Sequence, residues 1–497
     1  MSVERDFVLN ALLRHNYLPM QKPDREEVPP VFSSESFSSD AARKLVQAKQ
    51  RNGSVGWDAV EYRTTRFNGV SRSLAIPHPL AYAHLCLCIY ENWNHLDYVT
   101  KNKQSLIQPR QHKDGRLMIM EYETSVEKAS RSARFGFGRR FMVRTDISNC
   151  FPSIYSHAIP WATVGFGTAK ARKSRQHQEE WFNQLDQKLR WTKRNETQGV
   201  AIGPATSNVL SEAILARVDE ALNKKGFVFE RFIDDYTAYC RTEDEAQDFI
   251  RWLAEELSQY KLLLNIRKTE ILPLPQAVSE DWVSRLALSV PKSDEINSYD
   301  AVSFLNLAVE MAKSEPDGSV LKYAIKALLR KKLGFMVEFD VLPQVLTLSF
   351  HQPALLPFLE GLFDKTLLLD PFLYGDDLHT LAMENARFHR SDGMCWTLYF
   401  LNKYKVGIQD ALADQVVASK DCLGLLLLYL SGQPKHQKLV VDFAKSLDPA
   451  ELYDLDQYWL LLYQLFLDGQ LGNLYSNEEA FPVLREEGVS FLAGATP

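Results

Sequence analysis

The chain has 497 residues, 45% of them hydrophobic and 24% charged, and this length and composition predict two or more globular domains and exclude a disordered or fibrous protein. The formal net charge of −6 argues against a protein that coats nucleic acid by bulk electrostatics. Residues 311–497 carry 16 basic and 24 acidic side chains, a net charge of −8, which leaves +2 for residues 1–310 and makes that part the better candidate for binding a phosphate-rich ligand.

The first part of the chain predicts a mixture of helices and strands. Residues 1–60 contain several prolines and a serine-rich stretch, which predict an irregular N-terminal arm. Residues 60–93 predict a basic, turn-rich segment followed by a helix. Further on, Phe141–Asp146 predicts a strand that ends in an acid, residues 205–222 a helix, and residues 227–239 a β-hairpin.

The pattern changes after about residue 310. Strand signals fade and leucine-rich helical periods dominate, which predicts an all-α second domain whose helix pairs suit a HEAT-like repeat. The predicted fold class is therefore α+β over residues 1–310, followed by an α-helical, repeat-like domain over residues 311–497.

The sequence predicts a cytoplasmic protein with no membrane partner. Its longest apolar runs, residues 423–430 and 458–467, are shorter than the ~20 residues that a membrane-spanning helix needs, and they predict buried helices. Acidic residues near the start take the place of the basic and apolar run of a signal peptide. Six scattered cysteines without a CxxC pair disfavour disulfides and a structural zinc.

Three acidic residues are predicted to lie at strand ends. Asp146 ends the predicted strand, and Asp234 and Asp235 lie at the tip of the predicted hairpin. Hard cations such as Mg²⁺ prefer carboxylate oxygens, and two ions about 4 Å apart can contact both the attacking and the leaving oxygen of a phosphoryl transfer. Because an Asp-Asp pair alone is more often an ordinary turn, this assignment depends on further motifs.

A glycine-rich segment, Gln198-Gly-Val-Ala-Ile-Gly203-Pro-Ala-Thr-Ser-Asn208, supplies the second motif and leads into the predicted helix. Its glycines allow close backbone approach, and the free amides at a helix N-terminus can contact phosphate groups. The segment predicts a surface for a nucleobase and its phosphates, with a plain helix cap as the alternative interpretation.

In this order the motifs resemble those of reverse transcriptases, whose palm subdomain carries an aspartate strand, a Gln-Gly-x-x-x-Gly-Pro-x-x-Ser-Asn segment and an x-x-Asp-Asp hairpin. The hairpin here reads Phe-Ile-Asp-Asp in place of Tyr-Ala-Asp-Asp and keeps both acids. Residues 264–269 look like the Asn-x-x-Lys-Thr segment that follows, and residues 72–77 look like the fingers segment in which an arginine precedes an Ile-Pro. The resemblance implies reverse-transcriptase-like fingers and palm over residues 1–310.

The resemblance implies a two-metal nucleotidyltransferase site. Asp146, Asp234 and Asp235 would be the catalytic residues and would bind two Mg²⁺ ions, with Mn²⁺ as an alternative, together with the backbone carbonyl of Ile147.

The resemblance also implies a nucleotide site. Phe151 would stack under the sugar and exclude a 2′-hydroxyl, so that deoxynucleotides are favoured. Lys268 would neutralise or protonate the departing pyrophosphate. The other residues expected to bind nucleotide are Arg72, Gln198 and Gly199. Basic runs at residues 131–140, 170–175 and 188–194 predict a path for a single-stranded product, or else solvated faces.

A narrower resemblance is carried by residues 151–162 and 167–170, which look like a segment of the bacterial abortive-infection polymerases, the AbiK-like relatives of reverse transcriptases. It implies a homo-oligomer that acts in antiphage defence and makes DNA from dNTPs without a template. It also implies that the first nucleotide is attached to a tyrosine of the protein, so that the single-stranded DNA product is covalently bound. Tyr17, in the predicted arm, is the first candidate for this priming residue.

Three alternatives stay open at this point. The runner-up is a templated reverse transcriptase that copies a dedicated noncoding RNA. A catalytically silent scaffold would be expected to lose at least one of the three acids, because unpaired carboxylates held together repel one another. A nucleotide cyclase also places paired acids on a palm-like sheet, but it does not need the segment at residues 198–208.

Overall fold

The structure of the protein is a computed structural model that describes residues 3–24, 26–66, 69–121, 123–277, 280–315, 319–334, 337–364 and 370–494. Across these ranges, no helix has both the length and the apolar character needed to cross a membrane.

The central element is a four-stranded antiparallel sheet with the strand order β4-β5-β3-β6. Its strands are β3 Phe141–Asp146, β4 Val228–Phe232, β5 Asp235–Cys240 and β6 Glu270–Pro273 in chain order. The first strand and the hairpin predicted from the sequence are therefore confirmed. Val143 and Ala238, which are paired on neighbouring strands, are fully buried, so one face of the sheet packs into the core.

Helices of the first part cover this sheet and extend beyond it. The longest, Ala205–Lys224, is the helix predicted over residues 205–222, and most of its residues are buried. The other helices of this part are Arg5–Asn10, Ser39–Leu45, Pro79–Glu91, Trp93–Leu96, Ser125–Gly136, Cys150–Ser153, Ala158–Val164, Phe166–Ala171, Trp181–Trp191, Glu243–Gln259, Asp281–Ser289 and Ser298–Ser314, with a π-helical turn at Ala11–His15 and 3₁₀ turns at Asp97–Lys101, Arg175–His177 and Ile266–Lys268.

A second sheet was missed by the sequence analysis. The basic segment expected to be turn-rich forms a hairpin of two seven-residue antiparallel strands, β1 Ala59–Thr65 and β2 Ser71–Pro77. Only alternate residues of β1, such as Val60 and Tyr62, are buried, and the residues between them are polar. Of the arginines that suggested turns, Arg63 lies on the polar face of the hairpin and Arg72 lies at the end of its buried face.

The N-terminal residues are not an arm, which corrects the sequence-based expectation. The helix Arg5–Asn10 continues into the π-helical turn, and Val8, Leu12 and Leu13 have no exposed surface. The segment that follows pairs with the other end of the chain, since Ser33 N donates to the Phe491 carbonyl over 2.9 Å. The N-terminal segment is therefore packed despite its irregular composition, and its partners lie more than 400 residues away in the sequence.

The second part is helical, as predicted, and consecutive helices pack against one another, as Gly375–Arg387 does against Ser391–Lys403. The apolar runs at residues 423–430 and 458–467 are buried helices, also as predicted. The helices of this part are Ser319–Leu329, Val337–His351, Leu359–Phe363, Gly375–Arg387, Ser391–Lys403, Asp410–Ser419, Cys422–Leu430, Pro434–Lys445, Leu452–Gln457, Trp459–Leu467 and Ala480–Glu486, with 3₁₀ turns at Pro353–Phe358 and Pro371–Tyr374.

The two parts are closely joined. A two-residue parallel pair, β7 Glu295–Ile296 with β8 Lys332–Leu333, connects residues on either side of the expected boundary. That boundary, between residues 310 and 311, falls inside the helix Ser298–Ser314. The division into domains at 1–310 and 311–497 stays a prediction.

Candidate active site

Three acids converge at one end of the four-stranded sheet. Asp146, the last residue of β3, lies opposite Asp235, the first residue of β5, in the antiparallel register. Asp234 precedes Asp235 in the turn, and its carbonyl oxygen accepts a 3.2 Å hydrogen bond from the amide of Ile147. The strand pairing therefore brings all three predicted catalytic residues to one edge of the sheet.

The turn that carries Asp234 has an uncommon backbone. Residues 233–234 form a two-residue connection between β4 and β5, and Ile233 has a φ of 58°. A β-branched residue rarely adopts this left-handed conformation, and its cost must be met by the surrounding structure. Arg231 meets part of that cost, because its Nη1 donates a 2.7 Å hydrogen bond to the carbonyl oxygen of Ile233.

Arg231 belongs to a buried ion cluster under the turn. Its guanidinium has no exposed surface and donates to Glu212 over 2.7 and 2.9 Å and to Asp219 over 2.9 and 2.7 Å. Tyr236 donates a 2.9 Å hydrogen bond to the other oxygen of Asp219. Both acids belong to the helix Ala205–Lys224, so the cluster ties the catalytic turn to the longest helix of the palm.

The sequence analysis missed this cluster, although a signal was present. Glu212 and Asp219 are seven positions apart, which places them on one buried face of the helix Ala205–Lys224. An arginine three residues before Asp234 is the matching cation. Because buried acids need a cationic or hydrogen-bonding partner, these two acids could have been used to predict the role of Arg231 from the sequence.

The electrostatics of the site disfavour three bare carboxylates. Burial, and then the charge of Asp146, raise the pKa of Asp234. Burial in the cleft, followed by the charges of Asp234 and Asp146, raises the pKa of Asp235 to about 6, although its side chain is the most exposed of the three. Such mutual repulsion is relieved when cations bind between the carboxylates.

The two carboxylate oxygens of Asp146 have different surroundings. Its Oδ2 accepts a 2.8 Å hydrogen bond from Nζ of Lys268, and this bond is the first cause of the raised pKa of that lysine. Its Oδ1 is buried, with no hydrogen-bond partner among the described residues. A buried carboxylate oxygen without a partner is costly, and a cation is the partner that its chemistry favours.

The three carboxylates are the kind of ligand that a hard divalent cation prefers. Their side chains must move before they can bind one together. Within the described ranges, no three or more Asp, Glu, His or Cys side chains are already gathered in an arrangement that could hold a metal ion. Lys268 also bonds to one oxygen of Asp146. Ion binding by all three acids therefore requires their carboxylates to come closer together, and Oδ1 of Asp146 is the oxygen that Lys268 leaves open to an ion. The role of the Ile147 carbonyl stays a prediction.

Two of the expected nucleotide-binding residues share a cavity of about 220 Å³. Arg72, on β2, and Phe151, in the short helix Cys150–Ser153, both line it. Burial raises the pKa of Asp234, and the positive charge of Arg72 partly opposes this rise, so the arginine acts on the acidic edge of the sheet. The hairpin β1–β2, the palm and the helical part of the chain each form one side of the cavity.

Gln198 and Gly199 hold the glycine-rich turn in place. Nε2 of Gln198 donates to the carbonyl oxygens of Pro152 and Ser153 over 3.2 and 3.1 Å. Gly199 has a φ of 81°, and a Cβ there would lie only 3.1 Å from the Pro152 carbonyl oxygen. Both residues therefore pack the turn against the helix that carries Phe151. Their contact with a nucleotide stays a prediction.

Gly203 packs the glycine-rich segment against the hairpin β1–β2. Its φ is 136°, and a Cβ would lie 3.0 Å from the carbonyl oxygen of Ala75 on β2. The amide of Ala75 donates a 2.8 Å hydrogen bond to the Ile202 carbonyl. The glycine-rich segment thus joins the palm to the strand that carries Arg72.

Lys268 lies at a different opening. Together with Asp146 and Asp235 it lines a second groove that does not include Arg72 or Phe151. The structure therefore brings the predicted residues together in two groups, the three acids with Lys268 and the fingers arginine with the aromatic residue. The charge of Arg72 on Asp234 links the two groups.

The placement of Tyr17 contradicts its selection as a flexible priming residue. Tyr17 has no exposed surface, its hydroxyl donates to the carbonyl oxygen of Pro77, and its ring stacks on Tyr82 with centroids 4.3 Å apart. Burial raises the pKa of its hydroxyl well above the usual range. Attack by this hydroxyl would require the N-terminal segment to leave the core.

Many of the basic residues flanking the motifs are paired with acids. Arg131 contacts both Glu123 and Glu230, and Arg194 contacts Asp58. These pairs leave less positive charge for a nucleic-acid backbone than the sequence suggested.

Comparison with known proteins agrees with this geometry. Residues 97–306 match the family model described as reverse transcriptase (RNA-dependent DNA polymerase). A search of curated proteins finds no significant match.

Solved telomerase structures are similar at low identity. A C-terminally truncated apo telomerase from Candida tropicalis is 12% identical, with 48% of this chain and 55% of that chain covered and a TM-score of 0.32. The apo telomerase from the same organism is 10% identical, with coverages of 85% and 76% and a TM-score of 0.35. A Candida albicans telomerase in complex with a fragment of telomeric RNA is 9% identical, with coverages of 82% and 70% and a TM-score of 0.30.

The residues matched by the family model include β3, the glycine-rich segment and the hairpin that carries Asp234 and Asp235. The fold of residues 97–306 is therefore that of a reverse transcriptase-like domain.

Proposed function

We propose that the protein is a Mg²⁺-dependent DNA polymerase of the abortive-infection kind, which makes DNA from dNTPs without a template, starts each chain on one of its own tyrosines and acts in antiphage defence. The proposal places it in the bacterial cytoplasm as a homo-oligomer. The observation that carries the polymerase part is the convergence of Asp146, Asp234 and Asp235 at one sheet edge, with a buried oxygen of Asp146 that has no partner among the described residues.

In this proposal the three acids bind two Mg²⁺ ions, which supply positive charge to the reacting phosphate and to the attacking hydroxyl. Each addition forms a bond between that hydroxyl oxygen and the α-phosphorus and breaks the bond to the pyrophosphate oxygen. Lys268, once released from Asp146, neutralises or protonates the departing pyrophosphate. The Ile147 carbonyl is a further proposed ligand.

The remaining roles follow from the cavity. Phe151 lies under the deoxyribose and excludes a 2′-hydroxyl, and Arg72 contacts the triphosphate. Gln198 and Gly199 contribute by positioning the turn next to the base and sugar. A domain boundary near residue 310 belongs to the same proposal, with the polymerase before it and the HEAT-like region after it.

Two observations support synthesis without a template. One is the small net charge of residues 1–310, and the other is the helical part of the chain that borders the cavity. The first 310 residues carry a net charge of only +2, and several of the flanking arginines are paired with acids. Residues of the helical part, including Pro353 and Trp396, border the cavity. Such a site suits a single nucleotide better than a paired template strand.

The second candidate is a templated reverse transcriptase that copies a dedicated noncoding RNA. The match of residues 97–306 to the RNA-dependent polymerase family favours it. A silent scaffold is disfavoured because all three acids are retained at an electrostatic cost.

The discriminating experiment starts from protein that has been stripped of nucleic acid and treated with RNase. It is incubated with Mg²⁺ and each labelled dNTP, and the products are separated on a denaturing gel with and without protease. Label that migrates with the protein and is released as DNA by protease supports self-primed synthesis, and mass spectrometry then identifies the tyrosine. Label that depends on restored RNA or on an added primer and template supports the templated enzyme and contradicts the proposal.

A further inference from the structure

The cavity that contains Arg72 and Phe151 is completed by the helical part of the chain. Its lining includes Lys322, from the helix Ser319–Leu329, and Trp396, from the helix Ser391–Lys403. Residues more than 170 positions away in sequence thus face the same space as the fingers arginine and the palm aromatic residue.

Lys322 is a cation that forms no ion pair with the described residues, although the charges of Glu26 and Asp392 act on it. Among the described residues its ammonium group makes no ion pair or hydrogen bond, although its side chain is half-buried. Burial, and then the charge of Lys22, lower its pKa to about 8. One helical turn further, Lys326 forms ion pairs with both Asp24 and Glu26. The same face of the helix therefore carries one lysine with ion pairs and one without.

A second unpartnered donor lies in the same wall. The side chain of Trp396 is 4% exposed, and its Nε1–H has no hydrogen-bond acceptor in the described part of the protein. Buried polar groups nearly always have a partner, so an orphan donor in the lining of a cavity indicates that a ligand or water supplies the acceptor.

The acids that line the cavity are engaged elsewhere. Asp392 accepts hydrogen bonds from the amide and hydroxyl of Thr65 over 2.7 and 2.9 Å and from the amide of Gly393 over 2.8 Å. Glu26 is paired with Lys326, and Glu27 accepts a 2.8 Å hydrogen bond from the Lys22 amide.

The cationic side chains that line the cavity have fewer partners than the acidic ones. Within the described ranges, the side chains of Lys22, Arg66 and Lys322 form no ion pair. With Arg72 they make four cations against the three acids of the lining, so the cavity has a net positive charge.

We propose that Lys322 binds a phosphate group of the incoming deoxynucleoside triphosphate, so that the helical part of the chain is a component of the nucleotide site. This inference rests on the proposed polymerase function. A polyphosphate matches the chemistry because it needs several cations at once, and Arg72 and Lys322 approach the cavity from opposite parts of the chain. The enclosure by three walls favours a free nucleotide over a nucleic-acid strand as the source of the phosphate.

The test measures equilibrium binding to the full-length protein. The probe is a dNTP analogue with an imido group between the α- and β-phosphates, which cannot be incorporated, compared with dNMP and with a short single-stranded DNA. We expect Lys322→Met to weaken analogue binding about tenfold or more, because it removes a charged contact, and Lys322→Arg to restore most of it. Binding of dNMP should change little.

Lys313→Met serves as the matched control, because Lys313 is exposed in the neighbouring helix and is paired only with Glu310. Circular dichroism and the unfolding midpoint of each variant establish that it is folded. Unchanged analogue affinity in Lys322→Met would overturn the inference and leave the polymerase proposal intact if the wild type incorporates dNTPs. Equal weakening of dNMP or of single-stranded DNA would also overturn it, and a wild type that binds no dNTP would overturn both proposals.

Discussion

Arg231 donates a 2.7 Å hydrogen bond from Nη1 to the carbonyl oxygen of Ile233, the residue directly before Asp234. Ile233 is held in the left-handed conformation, with a φ of 58°, and the guanidinium that holds it is itself fixed by Glu212 and Asp219. The position of the turn that carries Asp234 is therefore determined by a buried ion cluster on the helix Ala205–Lys224 as well as by the strand pairing.

Removing the cation of this cluster should destabilise the protein. Arg231→Met leaves Glu212 and Asp219 buried without their cation, and we expect a loss of about 3–5 kcal/mol in the free energy of unfolding. Urea titration followed by circular dichroism measures this loss. Arg231→Lys keeps the charge and loses the fork geometry, so it should cost less stability and still reduce nucleotide incorporation. A stable Arg231→Met variant with normal incorporation would show that the cluster does not position the turn.

Phe151→Ala should relax sugar selection. The ring is 6% exposed and lines the cavity shared with Arg72, so removing it makes room for a 2′-hydroxyl. We expect the ratio of dNTP to rNTP incorporation to fall, and this ratio does not depend on the fraction of active protein. Phe137→Ala, at a ring that is 90% exposed, is the control and should leave the ratio unchanged. The steric role is refuted by a Phe151→Ala ratio equal to that of the wild type.

Arg51 joins the two ends of the chain through a buried ion pair. Its Nη2 contacts both oxygens of Asp456 over 2.7 and 2.6 Å, and its Nε lies 3.1 Å from Glu478. Arg51→Met leaves two buried acids without their cation and should lower the free energy of unfolding by about 3–5 kcal/mol. The measurement is again denaturant unfolding.

The control for Arg51 is Arg251→Met, which removes an arginine whose ion pairs are exposed and should change the free energy of unfolding little. If Arg51→Met proves no more destabilising than Arg251→Met, the buried pair does not hold the two ends together.

Mg²⁺ should stabilise the wild type through the acidic site. Binding only to the folded state adds about 2.7 kcal/mol at an ion concentration 100 times the Kd. In the variant Asp234→Asn with Asp235→Asn this gain should vanish. Without Mg²⁺ the variant should be at least as stable as the wild type, because two of the three repelling carboxylates are neutral. Thermal unfolding with and without Mg²⁺ tests both statements, and an equal rise in Tm for the two proteins would place the ion elsewhere.

The elements with a clear period could be predicted from the sequence. The strand Phe141–Asp146, the Asp-Asp hairpin and the helix Ala205–Lys224 each have an apolar pattern that matches their burial. Because these elements carry the acids, the sheet edge where they meet could be anticipated as well.

Features that depend on distant partners could not be predicted in this way. The hairpin β1–β2 is polar because much of its surface is exposed, so its arginines suggested turns. The burial of Tyr17 depends on Trp459 and Phe491, whose rings pack against it from the other end of the chain. No local pattern in residues 1–60 contains that information.

The most direct test of the central claim is the incorporation of a labelled dNTP by the purified protein with Mg²⁺, compared between the wild type and the variant Asp234→Asn with Asp235→Asn. The account predicts that the wild type forms a labelled polymer and that the variant, folded and equally pure, forms none. Incorporation by the variant at the wild-type rate would contradict the assignment of the acidic site, and the absence of incorporation by the wild type with any dNTP, with or without primer and template, would contradict the polymerase function itself.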